Sequence, residues 1–135
     1  MDRTAWVLSE TELRAWLQSL IAGERTVVAP VAEDGMVVYR PLAAAERAVL
    51  EPRGKARWSA KEFLFPRTEA LFSYSFKGDA VTITDPPPPE RPQVLFGVRS
   101  CDAAGLARLD EVFLSGRTDP LFAARRESTT VVTAG

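Results

Sequence analysis

The chain has 135 residues, 46% hydrophobic and 26% charged, which is long enough for a core and too apolar for wholesale disorder. Its 17 basic residues face 18 acidic ones, and a net charge of −1 argues against a general nucleic-acid binder. It has no histidine and one cysteine, Cys101, which removes Ser-His-Asp and Cys-His catalysis, internal disulfides and any complete metal site built from this chain's thiolates. The N-terminus lacks the apolar region of a secretory signal, and the runs 94–98 and 131–132 fall far short of the roughly 18–20 residues of a membrane span. These features predict a cytoplasmic protein.

Along the chain, Ser9 and Glu12 form a capping-box pattern. Leu13, Trp16, Leu17, Leu20 and Ile21 follow at helical spacing, and Gly23 is placed to stop the helix, so the pattern predicts an amphipathic helix over 10–22. The β-rich runs 26–31 and 36–39 flank a loop containing Gly35 and predict a hairpin. Residues 41–57 have room for an opening helical turn but are broken by Pro52 and Gly54, and read as a mostly irregular connection. Ser59 and Glu62 resemble a second capping box, opening a short helix that Pro66 must end. Alternation from Leu71 to Phe76, a turn through Gly78, and the run 80–84 predict a second hairpin. The prolines 86–89 read as a stiff spacer closing the first half, with a possible subdivision there of what is otherwise a single domain over 1–135.

The second half differs in kind. The continuous apolar run 94–98 has the mark of a strand buried on both faces. Leu106, Leu109, Val112 and Phe113 carry a helical stripe, and a loop through Gly116 and Pro120 leads to a β-branched strand at 128–133. Strand, helix, strand makes a βαβ unit whose strands should be parallel neighbours. The expected fold is therefore α/β, with α+β as the alternative. It comprises a small mixed sheet, the N-terminal helix and two hairpins packed around it. The chain halts directly after a strand, which suggests a piece of something longer.

In such sheets ligands collect beyond the carboxyl ends of the parallel strands. Arg99, Ser100, Cys101 and Asp102 lie there, where a strand steps into a helix N-terminus. Unpaired backbone N–H groups favour anions and thiolates at that point, making Cys101 competent as a ligand or nucleophile. The plainer alternative is that Ser100 or Asp102 caps the helix and Cys101 is a small buried residue. Lys61, Glu62, Arg67 and Glu69 surround the segment Phe63-Leu64-Phe65-Pro66, and Arg125-Arg126-Glu127 could clamp a carboxylate or phosphate. Both clusters can equally be solvated surface. Neither G-x-G-x-x-G nor G-x-x-x-x-G-K occurs, so a self-contained nucleotide site is poorly supported.

Residues Lys61 to Phe72 (KEFLFPRTEALF) resemble the K-E-F-x-F-P-x-x-E-x-L-F stretch of a family of iron–sulfur electron-transfer subunits. Residues Leu95 to Leu106 look like that family's F-G-V-R-P-C-D-A-A-A-L, with Ser100 in place of the usual proline, and Arg125 to Thr129 match its R-R-E-x-T segment. The family includes beta subunits of cytoplasmic sulfhydrogenases and an iron–sulfur subunit of anaerobic sulfite reductase, known as dicluster 4Fe-4S proteins. The resemblance implies the N-terminal domain of such a subunit, non-catalytic itself, with no cofactor in this piece and [4Fe-4S] clusters in a cysteine-rich continuation. Its partners would be redox subunits carrying flavin or a metal centre, and the parent complex an oxidoreductase. Lys61, Glu62, Phe65, Pro66, Glu69, Arg99, Asp102, Arg125, Arg126 and Glu127 become the structural and docking motif, with Cys101 as a single cluster ligand. Lys61, Glu62 and Glu69 are expected to meet Arg99 or Arg126. The competing expectation is an enzyme domain with a small-molecule or flavin pocket at the strand ends, built from Arg99, Cys101 and Arg125.

Overall fold

A computed structural model gives the structure of the protein and describes residues 7–51, 56–87 and 91–134. The first half forms α1 (Glu10–Ala22), β1 (Thr26–Glu33), β2 (Met36–Pro41), β3 (Ser73–Lys77) and β4 (Ala80–Thr84). The second forms β5 (Gln93–Arg99), α2 (Ser100–Leu114), α3 (Pro120–Glu127) and β6 (Thr129–Ala134). The class is α/β. Pro52, Gly54, Pro88 and Pro89, singled out in the sequence, lie outside the described residues.

Local chemistry explains α1. The Ser9 hydroxyl accepts the Glu12 N–H at 3.2 Å, and the Glu12 carboxylate accepts the Ser9 N–H at 2.7 Å, so the capping box is complete. Gly23 ends the helix with its N–H on the Ser19 carbonyl, at an ordinary negative φ of −80°. Leu17 is fully buried against the sheet, with Leu13, Leu20 and Ile21 beside it.

Four strands make the main sheet in the order β2-β1-β5-β6. β1 runs antiparallel to β2 and parallel to β5, and β5 runs parallel to β6. The two halves of the chain thus meet at the centre of one sheet, from Thr26 beside Gln93 to Val28 beside Leu95. Alternation sorts the side chains. Val27, Ala29, Val31, Val38 and Phe96 pack with Leu17 on the α1 face. Val28, Tyr39, Leu95 and Val98 pack with Ala60, Leu64, Leu106 and Phe122 on the other. Gly97 is the exception that brings Leu95 and Val98 to one face: at φ +70° it opens a bulge where the β5–β6 register shifts between Phe96 and Val98.

The described part of 41–57 is mostly irregular, with a 3-10 turn at Ala45–Arg47, although Pro41 still belongs to β2. Long-range bonds fasten that segment: Arg14 Nη1 donates to the Ala45 carbonyl at 3.0 Å and the Ala48 carbonyl at 3.2 Å, and Val49 N–H to Pro30 at 2.8 Å.

Three expectations need correction. The βαβ connection carries two helices, because α3 forms where a loop was expected. Asp119 caps it, its carboxylate accepting the Leu121 and Phe122 N–H groups at 2.9 Å, and Pro120 takes the first turn. The segment after Ser59 is a 3-10 turn, Ala60–Phe63, in which the Ser59 hydroxyl accepts from Lys61 N–H; with Pro66 so close, an α-helix has no length over which to propagate. The second hairpin, β3–β4, does not pack around the mixed sheet. It forms a separate two-stranded sheet with all ten residues exposed, because alternation marks a hairpin without saying what its apolar face meets. No helix among the described residues is long and apolar enough to cross a membrane.

Candidate functional site

The singled-out residues divide between the two ends of the sheet. At the carboxyl ends of the parallel strands, Arg99 closes β5 and Cys101 stands exposed in the first turn of α2. Neither Ser100 nor Asp102 caps that helix; Arg99 occupies the cap position without a side-chain bond to it. Asp102 turns instead to Ser59, whose hydroxyl donates to its carboxylate at 3.0 Å. With Ala56, these residues line a cavity of about 210 Å³.

Beneath them lies Tyr39, 2% exposed, whose hydroxyl donates to the Gly97 carbonyl at 2.9 Å. Burial chiefly raises the phenol above its ordinary range, Asp102 pushes the same way, and Arg99 opposes them. Tyr39 is therefore a neutral donor that holds the bulge carbonyl just under Arg99 and Cys101. Nothing in the sequence marks this role, since an alternating Val-Val-Tyr strand offers no sign of where a phenol points.

At the opposite end, Arg125 joins α3 to the 59–69 segment. Its guanidinium donates to the Leu64 carbonyl at 2.6 Å and pairs with Glu69, with only 18% and 27% of the two side chains exposed. Burial lowers the Arg125 pKa, so Glu69 serves as the counter-ion of a partly desolvated cation. Gln93 Nε2 donates to the Phe63 carbonyl at 3.1 Å and to Thr129 Oγ1 at 2.7 Å, tying the same segment to β5 and β6. Phe65 stacks on Phe113 at 4.9 Å, and Phe113 meets Phe122 at 5.1 Å. The Lys61 side chain lies against Gly105 of α2, where a Cβ would stand 2.6 Å from its terminal atoms. Pro66 is half-buried.

The charge partners differ from those expected. Glu69 meets Arg125 instead of Arg99 or Arg126, and Arg126 binds Asp110 at 2.9 Å. Glu62 and Lys61 make no ion pair among the described residues, and Glu127 is exposed. The physical reason is the helix α3. It turns Arg125 toward the 59–69 segment and Arg126 toward α2, as adjacent helical residues must diverge.

The same geometry separates Arg125 from Arg99 and Cys101. Seven residues of β5 lie between the two ends, roughly 20 Å of extended chain, so the three do not share a pocket. The 210 Å³ cavity is below the roughly 300–1,000 Å³ of small-molecule sites. A larger cavity of about 740 Å³ sits at the Arg125 end. Its charged lining is Glu69, Asp85 and Asp119 against Arg91 and Arg125, a poor match to a phosphate or flavin chain.

A [4Fe-4S] cluster ordinarily takes four protein ligands, and the described residues hold no group of three or more ligating side chains. Cys101 alone does not fit such a cluster; the remaining ligands would have to come from beyond this chain. The chain matches no protein-family model, no curated protein and no solved structure.

Proposed function

We propose that this chain is a non-catalytic support domain of an iron–sulfur electron-transfer subunit, shaping a docking surface for the cluster region and a partner bearing flavin or a metal centre. The parent complex would be a cytoplasmic oxidoreductase of the hydrogenase or sulfite-reductase kind. One observation supports the reading. The three segments that carry the resemblance, 61–72, 95–106 and 125–129, are distant in sequence yet join through Arg125 with Glu69 and Leu64, and through Lys61 with Gly105. Their charges hold the domain together and leave Cys101 exposed on its surface.

The test is the product of the longer reading frame, expressed anaerobically and reconstituted with iron and sulfide. Broad visible absorbance and an EPR signal are expected, and a Cys101→Ser change that alters the signal would make Cys101 a ligand. A frame that closes without a cysteine-rich segment overturns the reading. So does a concentration-dependent rise in melting temperature of the present chain with FAD, FMN or NAD(P)H, which would favour the enzyme-domain alternative.

A further inference from the structure

The hairpin β3–β4 carries a surface that no described residue covers. Tyr74 stands opposite Ile83 and Phe76 opposite Val81, so these four side chains share one face. They are 63%, 66%, 69% and 55% exposed. The other face carries Ser73, Ser75, Lys77, Ala80, Thr82 and Thr84. Polarity is therefore sorted cleanly across a two-stranded sheet, an element that is marginal in water unless its apolar face is packed.

We infer that a second copy of this chain covers that face, forming a two-fold dimer. Three observations single out the copy. The face carries no charge, so its complement must be apolar and uncharged, as the same face of another copy is. The bulky aromatic side chains stand on β3 and the smaller aliphatic ones on β4. A two-fold axis running along the strands lays β3 of one copy over β4 of the other, so that Phe76 meets Val81 and Tyr74 meets Ile83, large against small at every position. The area is also sufficient. With an aromatic side chain contributing roughly 150–250 Å² when fully buried, these four and the exposed Phe72 at the hairpin base offer on the order of 500 Å² per copy, or about 1,000 Å² per dimer, the size at which a specific interface begins. A net charge of −1 adds little repulsion between copies. The inference does not depend on the iron–sulfur reading.

Sedimentation velocity of the intact chain from about 1 to about 500 μM, a range suited to an interface of this size, tests it. The unaltered chain should pass from monomer to dimer. Phe76→Lys and Val81→Glu should each remain monomeric at every concentration, with the melting temperature of the dilute unaltered chain. Mixing the two variants should restore a dimer, because the geometry sets the introduced ammonium of one against the introduced carboxylate of the other. Should Phe76→Lys fail to fold, Val81→Glu carries the same comparison. A monomer at all concentrations overturns the inference. Persistent dimers of Phe76→Lys overturn it as well, and a mixture that stays monomeric overturns the two-fold arrangement.

Discussion

Gly97 and Tyr39 act as one device. The positive φ of Gly97 makes the bulge, and the Tyr39 hydroxyl satisfies the carbonyl that the bulge turns inward. Gly97→Ala would strain the left-handed backbone and bring a Cβ to 3.1 Å from the Pro30 ring, so a loss of about 1–3 kcal/mol is expected in urea denaturation. Tyr39→Phe removes a buried hydrogen bond to that carbonyl and should cost about 1 kcal/mol by the same measurement. Because burial raises the Tyr39 pKa in the folded state, its contribution is fully present below the ordinary phenol pKa of about 10 and is lost as pH climbs through the raised value. Alkaline unfolding should therefore be shallower in Tyr39→Phe than in the unaltered chain. Among the charges, Glu69→Ala strands the partly buried Arg125 and should cost about 2 kcal/mol, between the exposed and buried limits. Glu62→Ala, without an ion pair among the described residues, should stay within about ±0.5 kcal/mol. Equal losses at the two sites would contradict this division.

At the scale of elements, the sequence was most legible where a local chemical signal coincides with a periodic one. Ser9 and Glu12 with the Leu13-to-Ile21 stripe placed α1 to the residue, and Gly35 and Gly78 marked both hairpins. The helix α3 escapes the reading although Asp119-Pro120 is a cap and first-turn pair, because its eight residues bury one large side chain, Phe122, and are too few for a helical stripe to repeat. The candidate site was legible as a set of segments but not as a set of contacts. Which guanidinium meets Glu69 depends on the rotation of α3, a property that residue types do not encode. The start of α1 carries its own pH test. The Ser9 backbone N–H, and after it the Ser9 hydroxyl that Ser9→Ala removes, holds the Glu12 carboxyl below its usual range, so the stabilisation is present above that range and fades as pH falls through the lowered value. Ser9→Ala should cost about 1 kcal/mol at neutral pH, and the difference from the unaltered chain should shrink in acid, as read by circular dichroism.

Across the whole molecule, β1 and β5 weld the two halves into one sheet, so amides of residues 26–31 and 93–98 should exchange with solvent in a single cooperative step. Independent protection of 1–84 and 92–135 would instead reveal two loosely docked parts. The outer strands of that sheet are unlike one another. On β2, Arg40 binds Glu33 and Pro41 follows, two features that discourage further pairing. β6 reads Thr-Thr-Val-Val-Thr-Ala, six uncharged residues without a proline, and its far side is unpaired among the described residues. Such a strand is a template for fibre growth: each arriving copy would find a ready row of backbone donors and acceptors. Mild destabilisation should thus yield thioflavin-positive fibres after a lag. Thr130→Lys, at an exposed position of β6, should lengthen that lag while leaving stability within about ±0.5 kcal/mol. Unchanged lag times would mean that growth begins elsewhere, and that β6 is shielded by its neighbours in spite of its composition.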